Sequence, residues 1–388
     1  MKKKILKIIS AFTVMALLFT GCVGKEDSKK DSGKESDKIK IGGIAPLTGD
    51  LAIYGVTATN GAKLAFEEIN KDGGILGKQV EYNVLDDKGD NTEAVNAFNK
   101  LVSEEVIAVI GAVTSAPSEA VAQPAVEENM PLLTPTGTQL GITEGRANVF
   151  RVCYTDPFQG EILAKYTNDT LKAKKVAILT NNSSDYSDGI AKAYKEKAIE
   201  LGMEVVAQES YPDKATDFRA QLTKIASSNP EVVVVPDYYN TISLVAQQAK
   251  EVGIDATLIG GDGWDGVIEQ LDKSAYASVE GDVFTNHYST HDENEKVQNF
   301  VKAYKEKYNE DPSSFAALGY DAAYIYKEAI EKAGKTDKEA IIEAMKAIDF
   351  DGVTGNLKFD KNNNPVKSVS MIKIVNGKYT LDSVVKPE

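Results

Sequence analysis

The chain is poor in the residues that build disulfide frameworks and metal centres. Its 388 residues include two cysteines, Cys22 and Cys153, and two histidines, His287 and His291. Two cysteines cannot make a disulfide framework, and one of them falls in the N-terminal segment read below as a leader. No Cys/His cluster has metal-ligand spacing, so a zinc enzyme is not expected. Both histidines sit in a polar stretch and are expected to be solvated loop residues without a recognisable partner. A basic stripe is missing too, and the net charge of −14 argues against a nucleic-acid binder. No G-x-S-x-G nucleophile elbow occurs, which disfavours a hydrolase of that kind, and a dinucleotide oxidoreductase is not expected. No cofactor is expected, and no close internal sequence repeat is visible.

What remains is an ordinary globular composition, 42% apolar and 26% charged, in a chain long enough for two domains. Residues 1–22 have the form of a signal peptide. Lys2, Lys3, Lys4 and Lys7 precede an apolar run over 8–19, which is too short to span a membrane comfortably. The run ends in Phe19-Thr20-Gly21-Cys22, similar to a bacterial lipobox, although Phe19 stands where leucine is usual. Cys22 is therefore the expected lipidation site, and two acyl chains make a firm anchor. Residues 23–37 hold Gly, Ser, Asp, Glu and Lys with almost no apolar side chain, and are expected to form a disordered tether. The body is expected outside the cell membrane, held to its outer face.

From residue 39 onward, short apolar runs alternate with segments of helical spacing. Strands are expected at 39–45, 80–86, 106–110, 130–134 and 149–152, with helices between them, at 56–70 for the first. The alternation then restarts, with strands at 175–180, 204–209, 231–236 and 257–260 and helices at 158–171, 189–201, 218–227 and 241–252. Beyond this, 281–286, 352–359 and 369–375 read as strands and 295–308, 316–333 and 337–347 as helices. Such alternation predicts α/β architecture with mostly parallel, doubly wound sheets in two Rossmann-like lobes. Ligands in such sheets bind outside the carboxyl ends of the strands. Tyr54, Ser115 and Thr138 fall at such ends in the first unit, and Tyr186, Tyr238, Asp262 and Trp264 in the second.

The stretch 110–118, IGAVTSAPS, links a buried strand to a helix. Ser115 is expected to be the helix N-cap, with Pro117 tolerated in the first turn. A helix start offers free N–H groups and a partial positive charge, which suit a carboxylate. A plain helix cap would need the same residues. In the same way Asp262 fits a glycine-flanked surface turn, Tyr238 could cap the core, and Trp264 could pack near a hinge.

In order and spacing, several segments together resemble the extracytoplasmic substrate-binding proteins of branched-chain amino acid ABC transporters. These segments are Ile44-Ala45-Pro46-Leu47-Thr48-Gly49, Tyr54-Gly55, the Gly61-Ala62-Lys63-Leu64-Ala65 helix with Glu68-Ile69-Asn70, Gly73-Gly74-Ile75, Asp86-Asp87, Ile110-Gly111 to Ser115, and Thr134-Pro135. Amide-binding proteins and the ligand domains of glutamate-type receptors are relatives. The resemblance covers residues 38–385 and implies two lobes joined by a three-crossover hinge. Lobe one would be 38–156 plus 288–363, and lobe two 157–287 plus 364–388.

The family's ligand contacts carry over residue by residue. The resemblance implies Ser115 on the ligand carboxylate and Thr138 on both carboxylate and ammonium. It implies the Thr136 carbonyl on the ammonium, Tyr54 and Tyr186 closing from opposite lobes, and Tyr238 beside the ammonium. Asp262 takes the place of a glutamate that pairs with the ammonium, and Trp264 replaces an aliphatic residue. The family's lobe-one disulfide is missing, and Cys153 is expected to be a buried free thiol. The implied partners are an amino acid, most simply branched-chain or otherwise small and apolar, the permease subunits, and the membrane through the lipid anchor, with the protein a monomer. The alternative is a lipoprotein that senses amino acids, amides or aromatic compounds without transport.

Overall fold

The computed structural model describes residues 38–386. The leader, Cys22 and the tether lie outside the described residues. Two α/β sheets, one wholly and one mostly parallel, form the body. The first carries β1 (Ile39–Ala45), β2 (Val80–Asp86), β3 (Ala108–Ile110), β4 (Leu132–Thr134) and β5 (Val149–Arg151) in the order β2-β1-β3-β4-β5. Its neighbouring strands are all parallel. Between them run α1 (Ala52–Lys71), α2 (Asn91–Ser103) and α3 (Ser115–Glu127). β3, β4 and β5 are fully buried, which is why they read as unbroken apolar runs.

The second unit opens with α4 (Asp156–Asp169), β6 (Lys175–Asn181), α5 (Asp185–Glu200), β7 (Glu204–Tyr211) and α6 (Arg219–Ser227). It continues through β8 (Val232–Val234), α7 (Tyr239–Glu251), β9 (Thr257–Gly260), the short α8 (Val267–Gln270) and β10 (Val283–Asn286). The chain then returns to the first sheet with α9 (Glu295–Tyr308), α10 (Ser314–Ala333), α11 (Lys338–Lys346) and the hairpin β11 (Asp349–Gly352) and β12 (Gly355–Lys358). One apolar core joins α1, α10, α11 and β1. Finally β13 (Val369–Val375) and β14 (Lys378–Val385) extend the second sheet as an antiparallel pair, in the order β14-β13-β10-β9-β8-β6-β7. Two lobes result, and the chain passes between their sheets after β5, after β10 and after β12.

Several expectations need correction. The first helix starts at Ala52, not residue 56, so Tyr54 and Gly55 lie in its first turn. The strand expected over 352–359 is a hairpin reversing at Val353-Thr354. β14 was not anticipated. Its residues alternate between exposed and half-buried, so no apolar run marks it.

Helices α1 and α10 cross at two glycines. A Cβ on Gly61 would overlap the Ala316 carbonyl oxygen, and one on Gly319 would overlap that of Ala58. Only hydrogen side chains let the two backbones approach this closely, which presses α10 against α1 and brings Phe315, in its first turn, beside Tyr54. The two rings stack at 4.3 Å.

Candidate functional site

The β3–α3 loop and the β4 end are stitched into one rigid wall. The Ser118 hydroxyl lies 3.0 Å from the Ala112 carbonyl, 2.8 Å from that of Thr114 and 3.2 Å from the Thr134 hydroxyl. Thr134 donates to the Ala112 carbonyl at 2.7 Å and accepts from the Gly137 amide at 2.9 Å. Thr136 donates to the Val113 carbonyl at 2.5 Å. This bracing sets Ser115 and Thr138 side by side, with their hydroxyl oxygens 3.5 Å apart. Ser115 is not the N-cap expected of it. Thr114 holds the cap position in an extended conformation without a side-chain cap bond, and Ser115 is the first helical residue. The helix start therefore keeps its donors for something other than its own cap. The Thr114 hydroxyl is buried with no hydrogen-bond partner.

The opposite wall comes from the second lobe. Tyr186 lies in the first turn of α5, and Tyr238 caps α7 from the end of β8. Their rings stack at 4.8 Å. Asp262 follows β9 in a tight helical turn and is 2% exposed. Its Oδ1 accepts from Gln159 Nε2 at 3.0 Å and from the Tyr186 hydroxyl at 3.0 Å. Its Oδ2 lies 3.1 Å from His287 Nε2. Gln159 also accepts the Asp262 amide at 2.9 Å and the Thr285 hydroxyl at 2.8 Å, so its own orientation is locked. Burial and the Asp262 charge push the Tyr186 hydroxyl well above its ordinary range, which keeps it a proton donor. Burial likewise pushes the neighbouring Asp156 carboxyl well up.

The two walls face each other across a small cavity lined by Val113, Thr114, Ser115, Thr136, Thr138, Tyr186, Tyr238, Asp262, Gly263 and Phe315. Six of the residues singled out from the sequence, Ser115, Thr136, Thr138, Tyr186, Tyr238 and Asp262, thus meet there. Tyr54 stands just behind. Its hydroxyl donates to the Gly263 carbonyl and accepts the Tyr239 amide at 3.2 Å, bridging the lobes. Trp264 is not brought to the cavity. Its indole points into the apolar core of the second lobe, is fully buried, and donates to the Val235 carbonyl at 2.9 Å.

His287 corrects the sequence reading. It is no solvated loop residue but 3% exposed, stacked on Tyr154 at 3.9 Å and bonded to Asp262. His291 is exposed. Gln159, His287 and Phe315 were the functional neighbours that sequence reasoning passed over. Gln159 and Phe315 sit in the first turns of α4 and α10, and nothing local distinguishes them from other helix starts. Cys153 is buried and free, 3.2 Å from the Gly137 carbonyl, and burial pushes its thiol up to about 12.

One wall thus presents hydroxyls and a helix start, which suit an anion, and the other a buried carboxylate flanked by aromatic faces, which suits a cation. Two doubly wound lobes closing such a cavity between their strand ends define a solute-binding protein built to enclose a small molecule. A family profile described as periplasmic binding protein matches residues 38–378, and the chain belongs to that family, one of solute-binding proteins and not of enzymes. It is 32% identical over 332 residues to the leucine-, isoleucine-, valine-, threonine-, and alanine-binding protein of Pseudomonas aeruginosa, covering 84% of this chain and 87% of the relative. Among solved structures it is similar to the leucine binding protein LivK from Thermotoga maritima, with 37% identity, a TM-score of 0.85 and coverage of 90% and 99% of the two chains. It is also similar to the branched-chain amino acid transporter substrate binding protein LivJ from Streptococcus pneumoniae in complex with isoleucine. That pair shows 38% identity, a TM-score of 0.83 and coverage of 90% and 100%.

Proposed function

We propose that the chain is the extracytoplasmic solute-binding lipoprotein of an ABC importer, capturing an amino acid and delivering it to the permease by closure of its two lobes. The observation that carries this reading is the opposition of Asp262 to the start of α3, with the Ser115 and Thr138 hydroxyls, across one cavity. An α-amino acid presents an anion and a cation one carbon apart, and the two walls offer a complementary group to each. The ligand set is Tyr54, Ser115, Thr136, Thr138, Tyr186, Tyr238 and Asp262, with Trp264 acting through the turn that it anchors. The names of the similar proteins, which bind leucine, isoleucine and valine, favour a branched-chain or other small apolar side chain. They speak for transport and lend nothing to a sensor that does not feed a permease.

Lobe one comprises 38–156 and 288–363, lobe two 157–287 and 364–388, and the three crossings form the hinge. Cys22 carries the lipid that holds a monomeric body to the outer face of the membrane. The intact mass of the mature protein, beginning at a diacylated cysteine, checks the anchor. A thermal-shift screen over the twenty amino acids, amides and urea, followed by calorimetry, tests the function, because a ligand that binds the folded state alone raises apparent stability. Stabilisation by a branched-chain amino acid is expected. Stabilisation by none of the amino acids would overturn the reading.

A further inference from the structure

Asp262 has three protein donors before any ligand arrives. An ionised carboxylate has about four acceptor sites. Gln159 and Tyr186 take the two on Oδ1, and His287 Nε2 takes one on Oδ2. One acceptor site on Oδ2 is left, and it is shared ground between the imidazole and whatever cation enters the cavity.

The imidazole is held in the form that donates from Nε2. Its Nδ1 is buried and has no hydrogen-bond partner. A neutral ring with its proton on Nε2 leaves only a lone pair there, whereas a cationic ring would bury a second N–H with no acceptor. The titratable and charged groups that face the ring are Asp262 at Nε2, the Tyr154 ring stacked against it, Asp265 from the turn after β9, and Lys367 from the crossing before β13. Asn286, which precedes His287, is neutral and accepts its backbone amide at 2.8 Å. Desolvation dominates this balance and lowers the ring's affinity for a proton, while the two carboxylates oppose it. The Asp262 partners come from α4, α5 and the residue that follows β10, all on the second-lobe side, so the arrangement is assembled without the first lobe's wall.

We propose that His287 is a positioning residue that makes amino-acid capture proton-linked: the neutral ring orients Asp262 and leaves its charge to the ligand ammonium, whereas a protonated ring takes that charge itself. This rests on the reading of Asp262 as the ammonium partner. Protonation of His287 and occupation of the ammonium subsite then oppose each other, and by linkage the ligand-bound protein releases the proton. Affinity should hold near neutral pH and fall as pH drops through the ring's depressed titration. The slope is at most about tenfold per pH unit, the limit for one linked proton.

The test is calorimetry of the full-length protein with L-leucine and L-isoleucine between about pH 5 and 7.5, in buffers of different ionisation enthalpy, which counts the protons exchanged on binding. His287→Gln keeps an amide donor near the Nε2 position without a titrating group, and His287→Phe keeps the ring on Tyr154 without the donor. Wild type should release a fraction of a proton on binding at the acid end and lose affinity there. His287→Gln should bind near neutral pH within about threefold of wild type, well under the tenfold that ~1.4 kcal/mol represents, with the acid-side release abolished. His287→Phe should also abolish the release, and should weaken binding at every pH because Asp262 loses an orienting donor. Proton release that persists in His287→Gln would assign it to other groups and overturn the proposal. So would a wild-type affinity independent of pH. If wild type binds neither amino acid at any pH, the amino-acid reading falls and the proposal with it. Binding by wild type with unchanged proton counts in both variants refutes the role of His287 alone.

Discussion

Replacing Asp262 with asparagine removes one charge and almost no volume, so its consequences can be worked out from the contacts. The carboxylate accepts from Gln159, Tyr186 and His287 and faces the cavity with what remains. In Asp262→Asn the amide oxygen can keep the Gln159 and Tyr186 bonds at the Oδ1 position. The amide nitrogen then stands where Oδ2 was and meets His287 as a donor. The imidazole must move its proton to Nδ1, which has no acceptor. A ligand ammonium would meet N–H groups instead of an anion. Hydrogen bonds to charged groups are worth about 1.5–3 kcal/mol, and truncating one partner of a buried charge pair costs about 2–5 kcal/mol. The expected loss of affinity for L-leucine is therefore about 100-fold, from ~2.7 kcal/mol. Calorimetry reads the dissociation constant directly. A thermal-shift measurement gives an independent check, because a 100-fold weaker ligand supplies up to ~2.7 kcal/mol less stabilisation at the same concentration. The ligand-free melting temperature reports whether the fold has survived. A folded Asp262→Asn protein that binds leucine within about threefold of wild type, a difference under ~1 kcal/mol, would refute the assignment of this carboxylate to the ammonium.

Two further substitutions test the fold that holds the site. Gly61→Ala places a methyl group against the Ala316 carbonyl at the α1–α10 crossing, where backbone has to move. It should destabilise the protein by about 1–3 kcal/mol in urea denaturation, and an unchanged midpoint would show that the crossing is looser than described. Asp282 is buried, accepts the Leu258 amide at 2.9 Å through one oxygen and has no partner for the other, and burial raises its carboxyl to about 8. A carboxyl raised on folding contributes stability that is complete below its unfolded value of about 3.9 and is lost as pH rises through the folded value. Asp282→Asn should therefore exceed wild type in stability near pH 8 and lose that advantage toward pH 4, and denaturation curves with parallel pH profiles would contradict this.

Much of the architecture was legible because buried parallel strands leave unbroken apolar runs, and β3, β4 and β8 all did so. The edge strand β14 escaped because half its side chains face solvent, and its pairing with β13 is a tertiary fact. Ser115, Thr138, Tyr186, Tyr238 and Asp262 were legible through their positions past strands, and Thr136 through the family resemblance. Trp264 illustrates the limit. A strand end shows that a turn follows, but the twist of that turn decides which of three successive side chains faces the cleft. Here Asp262 faces the cavity and Trp264 faces the core. His287 failed for a related reason. The histidines were read as lying in a polar, solvated segment after the 281–286 strand, yet this crossing buries Thr285, Asn286, His287 and Ser289.

Taken alone, the order of residues determined two α/β units, the strand ends at which a ligand would sit, and a helix start rich in hydroxyls. These follow from local periodicity and from the chemistry of single residues. The environment of Asp262 was decided by tertiary structure alone. Its partners Gln159, Tyr186 and His287 lie 103, 76 and 25 residues away along the chain, on elements whose meeting no local pattern records. An isolated aspartate between glycines is a common turn residue. It becomes a held, desolvated anion only when packing removes water and supplies donors from three separate elements. That difference, which sets how strongly the carboxylate attracts a cation, belongs to the assembled fold.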